Sequence, residues 1–554
     1  MILFWFRSIL NIGSGILSVL VVATLLIELI LMLTVSKLQL FHNIHYYIFI
    51  LILLDSIIRL IIRPIKAFGY KRIWLGLLSI IPILAFNGVS FFVDINIGVQ
   101  QIILLIIAVT RVQHLSFLFE PLRSNPTQSF VGGFLMFILL GAVFFMVPMA
   151  HNGSITFIDA LFTAASAICV TGLSVVDVGS KLTPFGQMIL LVLIQIGGLG
   201  IMTFYALVTI SLNQRFLSVE SQEFQESWST DSMKETFGLV RAIIYVTIFV
   251  EIIGALFIFF FLSGHIEDPK VQLFYALFHS VSAFCNAGFS LFSDSLSIFS
   301  SSIWMMLTFS ALIIMGGIGF PVIFEFYHRY IVKDRHRLKL QTKMVIYVSL
   351  LLIGVGGLVL VLQSLHTGAS GASVMTAIFH SISARTAGFS MHDLTSYSTA
   401  SLWFILFLMF VGASPGSTGG GIKTTTFGLL GVALFSTIRG NARIHIFGRH
   451  IKPQVVFKAM AIVTMSIAIV FLSFFVLLTT ERIPFLPLLF ETVSAFATVG
   501  FSLGATTELT SIGKVVIIFL MFFGRVGPLT LAIALTKRQK TANYKLPDEH
   551  VLLG

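Results

Sequence analysis

The chain has 554 residues, 57% of them hydrophobic and only 10% charged, with a mean hydropathy of +1.01. Soluble domains carry about 25% charged residues, so the composition excludes a soluble globular protein and marks a polytopic membrane protein. The net charge of +11 comes from basic residues spread through short connections between apolar runs, a pattern that sets membrane topology and argues against nucleic-acid binding.

The first apolar run, Gly15–Val35, is too long for a signal-peptide core and has no small-x-small cleavage site, so it reads as a retained span. Further spans are expected near Tyr46–Ile62, Ile73–Val93 and Ile97–Phe119. Arg63, Lys66, Lys71 and Arg72 place the connection after the second span in the cytoplasm. Asp55 and Arg59 would suit a voltage-sensor-like bundle, but the fourth span offers only Arg111, with Arg123 beyond it. A sensor needs several cations at three-residue steps, so residues 1–126 read as a structural or partner-docking four-span module. The polar stretch Glu120–Gln128 ends it.

A four-fold pattern of span, short helix, Gly motif and span then follows. Its units are 127–215, 216–340, 341–440 and 441–554. The spans expected in them are Phe130–Val147 and Gly186–Ile210, Phe237–Leu262 and Ile303–Phe326, Met344–Gln363 and Leu402–Leu434, and Val455–Leu478 and Val515–Ala534. The fold class is thus all-α, with four fused units after about four N-terminal helices. The connections between units carry Arg215, Arg329, Lys333, Arg335, Arg337, Lys339, Lys343, Arg439, Arg443, Arg449 and Lys452, which puts them, and both termini, in the cytoplasm. The acidic connection Ser218–Lys234 is either a solvated loop or a docking surface.

The short stretches between spans repeat: ALFTAASAICVTGLS at 160–174, ALFHSVSAFCNAGFS at 276–290, AIFHSISARTAGFS at 377–390 and FETVSAFATVGFS at 490–502. Their glycines, Gly172, Gly288, Gly388 and Gly500, lie 116, 100 and 112 residues apart, the mark of an internal repeat. Each stretch is too short to cross a bilayer, and irregular backbone survives there only when buried in protein or lining a watery cavity. Four such segments around one axis can present carbonyl oxygens to a cation in place of its hydration shell. Each preceding helix aims its negative C-terminal end at the same place. Cys169 and Cys285 occupy matching repeat positions with no metal-ligand spacing, so they read as packing residues.

The segments Val170-Thr171-Gly172-Leu173, Asn286-Ala287-Gly288-Phe289, Thr386-Ala387-Gly388-Phe389 and Thr498-Val499-Gly500-Phe501 resemble the four selectivity-filter segments of the Trk/Ktr/HKT superfamily of cation transporters. The likeness covers roughly residues 127–540 and is strongest to the Ktr-type translocating subunit. It implies a homodimer in the cell membrane with one pore per subunit, carrying potassium as substrate with no cofactor in this chain. Glycine at all four filter positions implies a preference for potassium. An octameric ring of cytoplasmic nucleotide-binding regulatory subunits is implied as partner. A sodium-permeable or sodium-coupled cation transporter of the same fold, and a secondary transporter with a midplane site, are the alternatives. No Ser/His/Asp, His-rich or paired-Asp constellation at bilayer depth points to an enzyme.

The second spans also rhyme, at Gly197-Gly198-Leu199-Gly200, Gly316-Gly317-Ile318-Gly319 and Gly524-Arg525-Val526-Gly527. The third unit departs with GASPGSTGGGIKTTT over 412–426, which cannot continue a helix. It lacks the preceding strand and the Lys register of a phosphate loop. The resemblance implies an intramembrane gating loop here, built on Gly412, Gly416, Ser417, Thr418, Gly419, Gly420, Gly421 and Lys423 and touched by Arg525. Arg525, alone in mid-span, is expected to reach carbonyls of 416–421. Arg385, beside the third filter segment, is expected to need a counter-charge, and Glu491 is the partner considered.

Overall fold

The computed structural model describes residues 126–200, 233–330, 333, 337–367, 374–440 and 443–535. The N-terminal four-span module, the acidic connection as far as residue 232 and the tail beyond 535 lie outside the described residues. The first unit contains α1 (Pro126–Phe145), α2 (Phe157–Ile168) and α3 (Pro184–Leu199). In the second are α4 (Met233–Leu262), α5 (Pro269–Phe284), α6 (Ile303–Gly317) and α7 (Phe320–Tyr330). The third has α8 (Leu340–Thr367), α9 (Val374–Ser383), α10 (Thr399–Phe410) and α11 (Thr424–Ile438). The fourth has α12 (Pro453–Thr480), α13 (Phe485–Ala497), α14 (Ser511–Val526) and α15 (Pro528–Leu535).

Apolar residues are distributed the way a bilayer requires. The long first spans turn large side chains outward, among them Phe249 and Phe260 on α4, Leu350 and Leu358 on α8, and Phe471 and Phe475 on α12. The short helices α2, α5, α9 and α13 are enclosed, with Phe162, Phe278, Phe379 and Phe490 fully buried. Among the described residues, 242–262, 340–366 and 453–480 are each long and apolar enough to cross a membrane alone.

The units close into a ring. Within each unit the first span packs on its own short helix, in the pairs α1–α2, α4–α5, α8–α9 and α12–α13. The second span then packs on the short helix of the next unit: α3 on α5, α6 on α9, α10 on α13, and α14 back on α2. All four second spans begin alike. Thr183, Ser302, Ser398 and Thr510 are N-caps whose hydroxyls accept from the backbone N–H three residues on, at 3.2, 3.4, 3.2 and 3.3 Å.

The second spans are not the continuous helices expected from their apolarity. α6 and α7 meet at a bend of 96°, α3 stops at Gly200 (φ 81°), and Gly527 (φ 91°) separates α14 from α15. The expected Leu402–Leu434 span is α10, an irregular loop and α11. Apolarity alone does not keep a helix going: Gly200, Gly319 (φ 96°) and Gly527 take a left-handed backbone that no helix tolerates. The connection to the fourth unit also holds a two-residue hairpin, β1 (His445–Ile446) against β2 (Arg449–His450), whose turn residues Phe447 and Gly448 both have positive φ.

One ion pair ties the last unit to the first. Lys514 Nζ, in the first turn of α14, lies 2.7 Å from Asp159 Oδ1 in the first turn of α2, and the Thr156 hydroxyl donates to Asp159 Oδ2 at 2.7 Å. Burial alone would raise the Asp159 carboxyl, but the bonds from Lys514 and Thr156 outweigh it and hold the group below its ordinary 3.8. A lowered carboxylate contributes stability above its unfolded pKa and loses that contribution as pH falls through the folded value. Asp159→Asn should therefore cost about 1 kcal/mol at neutral pH, read by thermal unfolding in detergent. The gap from wild type should close below about pH 4. A gap that is the same at both pH values would show that the carboxylate charge contributes nothing.

Candidate functional site

The four short helices converge, and each ends one to three residues before a left-handed residue: Val170 (φ 57°), Asn286 (φ 58°), Thr386 (φ 81°) and Thr498 (φ 51°). Two residues later each chain is left-handed again, at Gly172 (φ 90°), Gly288 (φ 70°), Gly388 (φ 72°) and Gly500 (φ 94°). Val170 is a β-branched residue in a region that costs on the order of 1–3 kcal/mol, and it is held there by complete burial.

The glycines show how the segments meet. A Cβ on Gly288 would come within 2.7 Å of the carbonyl oxygen of Ala387. In the same way Gly172 faces the carbonyl of Ala287, Gly388 that of Val499, and Gly500 that of Thr171. The contacts run from unit 1 to 2, 2 to 3, 3 to 4 and 4 back to 1, a closed ring with no space for a side chain. Leu173, Phe289, Phe389 and Phe501 are all buried, and Phe309 of α6 packs edge-on against Phe389 with centroids 5.4 Å apart.

Serines at the ends of the short helices hold the segments in place, and sequence reasoning did not single them out. The backbone N–H groups of Thr171, Ala287 and Val499 donate to the carbonyls of Ser166, Ser282 and Ser494 at 2.8, 2.7 and 2.9 Å. The hydroxyls of Ser166 and Ser494 accept from Gly172 N and Gly500 N, both at 3.1 Å, while those of Ser282 and Ser383 donate to the carbonyls of Phe289 and Phe389 at 2.8 and 2.7 Å. In the third unit the matching backbone bond, Ala387 N to Ser383 O at 2.9 Å, spans one residue fewer. The signal was in the sequence: Ser stands six residues before Gly in three units and five before it in the third.

Beneath the ring lies the 412–421 loop. Its ends form a bridge between Val411 and Ile422, closed by Gly412 N donating to Ile422 O at 2.9 Å. Gly420 N donates to the Thr498 hydroxyl at 3.0 Å, in unit 4. Ser414 N and Thr418 N donate to Gly317 O and Gly316 O at 3.1 and 3.3 Å, and Gly416 O accepts from Phe320 N at 2.9 Å, all in unit 2. The Thr418 hydroxyl donates to Phe284 O at 3.3 Å. The loop thus bonds to both ring neighbours of its own unit 3, and Arg525 links it to unit 1. Gly419 leaves no space for a Cβ against the Thr386 hydroxyl, and the buried Ser417 hydroxyl has no partner.

Two cations fix this loop. Arg525 donates from one terminal nitrogen to Thr418 O and from the other to Gly197 O of unit 1. Lys423 Nζ donates to Gly419 O at 2.7 Å. The structure does not bring Arg385 and Glu491 together. Arg385 donates to Ser349 Oγ at 3.1 Å, and its guanidinium lines a cleft of about 140 Å³ among Ile313, Ile314, Ile353 and Ile382. Glu491 instead accepts from the Ser502 hydroxyl at 2.7 Å and from the Thr506 hydroxyl. The shorter third segment explains the difference, because it leaves Arg385 to point sideways toward α8. Among the described residues no group of His, Cys, Asp or Glu could hold a metal ion, so a cation would meet backbone oxygen here.

The ring makes a sharp prediction about its glycines. Gly388→Ala places a Cβ against the Val499 carbonyl on a left-handed backbone, whereas Gly504→Ala, also left-handed (φ 92°), meets nothing within 4 Å. Both pay about 1–2 kcal/mol for backbone conformation, and only Gly388→Ala adds a clash, so its melting temperature should fall further. Equal melting temperatures would contradict the close approach.

Comparison with known proteins agrees with this architecture. The TrkH model, described as a cation transport protein, matches residues 99–545. Ktr system potassium uptake protein B of Bacillus subtilis is 39% identical over 440 residues, which cover 78% of this chain and 97% of that protein. The potassium/sodium uptake protein NtpJ of Enterococcus hirae is 36% identical, covering 78% and 98%. In fold, the chain is similar to the crystal structure of the potassium transporter TrkH from Vibrio parahaemolyticus, with a TM-score of 0.61 at 21% identity over 90% of this chain and 98% of that one. The chain therefore belongs to the TrkH family of cation transport proteins, multi-pass membrane proteins that move ions and are not enzymes.

Proposed function

We propose that this chain mediates potassium uptake across the cell membrane through a filter formed by 170–173, 286–289, 386–389 and 498–501. The observation that carries this reading is the closed ring in which each segment's glycine abuts the next segment's carbonyl. Positive φ at alternate residues lets carbonyls turn toward one axis, where they replace the hydration shell of a cation. The helix C-termini behind them add negative potential. Potassium as the substrate is supported by the relatives named for its uptake. The 36% identical relative named for potassium/sodium uptake supports sodium as a second permeant ion.

In this reading the 412–421 loop is the gate. It bonds to Phe284 O and the Thr498 hydroxyl at the base of the filter segments, and Arg525 and Lys423 bring two positive charges to it that oppose a cation while the loop is in position. Opening requires Thr418 O to leave Arg525 and Gly420 N to leave the Thr498 hydroxyl, which loosens the loop from both sides of the ring. The basic connections between units support a cytoplasmic location for them and for both termini. Relatives named as part of a Ktr system support a partner subunit for this chain; the homodimer and the ring of cytoplasmic nucleotide-binding subunits rest on the family resemblance alone.

The test is radiotracer uptake of potassium, rubidium and sodium into cells lacking their own uptake systems, with wild type and Arg525→Ala side by side. Arg525→Ala should raise potassium and rubidium uptake severalfold, since it removes both a charge and the tether on Thr418. Membrane-inserted protein that carries neither ion in either form would overturn the reading. A variant that carries them no faster than wild type would remove Arg525 from the gate.

A further inference from the structure

Three of the four short helices carry a titratable side chain at one matched position: His279 on α5, His380 on α9 and Glu491 on α13. Each reaches past the filter to the serine that follows it. His279 Nε2 lies 3.1 Å from Ser290 Oγ, His380 Nε2 lies 3.4 Å from Ser390 Oγ, and Ser502 Oγ donates to Glu491 Oε2 at 2.7 Å. The first unit has no such strut: Thr163, at the matching place, donates to Asp159 O in its own helix. All three side chains are buried.

The hydrogen bonds define what the histidines do. Leu291 N donates to His279 Nε2 at 3.3 Å, and Met391 N donates to His380 Nε2 at 3.2 Å. A backbone N–H can only donate, so both Nε2 atoms are acceptors. His279 Nδ1 lies 2.8 Å from the carbonyl of Tyr275, which can only accept, so this nitrogen carries the proton. In the third unit the Tyr397 hydroxyl takes the same place, 2.7 Å from His380 Nδ1. Each imidazole is thus a neutral strut of fixed orientation, with its acceptor end on the backbone just beyond the filter.

The struts also connect neighbouring units. The Ser290 hydroxyl donates to Ser295 O at 3.2 Å, and the Ser295 hydroxyl accepts from Ser390 N at 3.2 Å. Leu296 N donates to Ser390 O at 2.9 Å. His279 and His380 therefore flank one set of bonds between units 2 and 3, each held to it by a backbone N–H, that of Leu291 or Met391, rather than by the serine hydroxyls, whose protons go to Ser295 O and His392 O. His380 packs edge-on against Phe501 of the next filter segment at 6.0 Å, and His279 meets Phe309, which in turn packs on Phe389.

We propose that His279, His380 and Glu491 are positioning residues that fix the outer end of the carbonyl ring, and so set its discrimination between potassium and the smaller sodium ion. This rests on the filter reading above. A ring pinned on three sides cannot contract around a smaller ion, and one whose pins are cut can.

Replacement of the acceptor tests it. Gln carries its amide oxygen near the place of imidazole Nε2, whereas Leu fills the space without an acceptor. His380→Leu and His279→Leu should lower the potassium-over-sodium uptake ratio about tenfold, mainly by lowering the sodium KM. The Gln variants should stay within about twofold of wild type. Tyr397→Phe, which removes only the group that orients His380, should fall between them, and it decides the matter if the Leu variants fail to reach the membrane. Equal ratios for Leu, Gln and wild type, or a Tyr397→Phe variant identical to wild type when the Leu variants do not accumulate, would overturn the inference. Wild type that carries no cation at all would instead overturn the filter reading itself.

Discussion

Four close approaches of a glycine to a neighbouring carbonyl hold this architecture to its geometry. Each segment can lie against the next only because Gly172, Gly288, Gly388 and Gly500 have no Cβ. The contact is also what makes the four units depend on one another. A shift in one segment moves the carbonyl its neighbour leans on, and the ring passes that shift round to its start. Two left-handed residues per segment are costly to maintain, one of them a valine. The buried serines at the helix ends offset that cost by anchoring the backbone at each glycine, on both sides of it in units 2 and 3. The long spans outside contribute burial and a lipid-facing surface, and they leave the site chemistry to the short helices.

The second spans obey the same constraint from the other direction. Gly197, Gly316 and Gly524 each press on a carbonyl at the end of a short helix, namely those of Ile168, Phe284 and Phe496. A helix that comes that close at a glycine has little to keep it regular. Three residues further on it breaks, at Gly200, Gly319 and Gly527. The third unit takes this furthest and opens the break into the 412–421 loop. The loop is an exaggerated form of an irregularity that the other three units share, which is why it fits beneath the ring with its amides bonded to Gly316 and Gly317.

Much of this was legible in the sequence, and the parts that were not have physical reasons. The repeat and the four segments could be read from glycine spacing and the break at 412–426 from its composition, while the loop's role and the approach of Arg525 to it followed from the family resemblance. The breaks in the second spans could not be read from hydropathy, which measures partition into lipid and is blind to a backbone dihedral. Arg385 and Glu491 were considered as a pair because both are charged and near the filter. The one-residue shortening between Ser383 and Gly388 was visible but uncounted, and it is what turns Arg385 toward Ser349. In the sequence His279 and His380 look like any lone His on an apolar helix, which is usually a core residue. Only the backbone N–H groups of Leu291 and Met391, donating to them, separate a strut from a filler.

In the proposed reading, the same ring has to attract a cation and, in the state described, keep it from leaving downward. Carbonyl oxygens and helix C-termini would supply the attraction above, while Arg525 from α14 and Lys423 just after the loop are both bonded to carbonyls of the loop below. In a low-dielectric interior a fixed positive charge acts strongly on an ion a few ångströms away and weakly on one held higher in the filter. Two cations at the floor can therefore close the path without emptying the filter. Because Arg525 also holds Gly197 O of the first unit, release of the loop is coupled to a ring element on the far side from the loop's own attachment to unit 3. A regulatory force that moved α11 or α15 would act on this coupling through the backbone, with no direct access to the filter. On that reading ion choice and ion release fall to separate layers, each with its own hydrogen bonds.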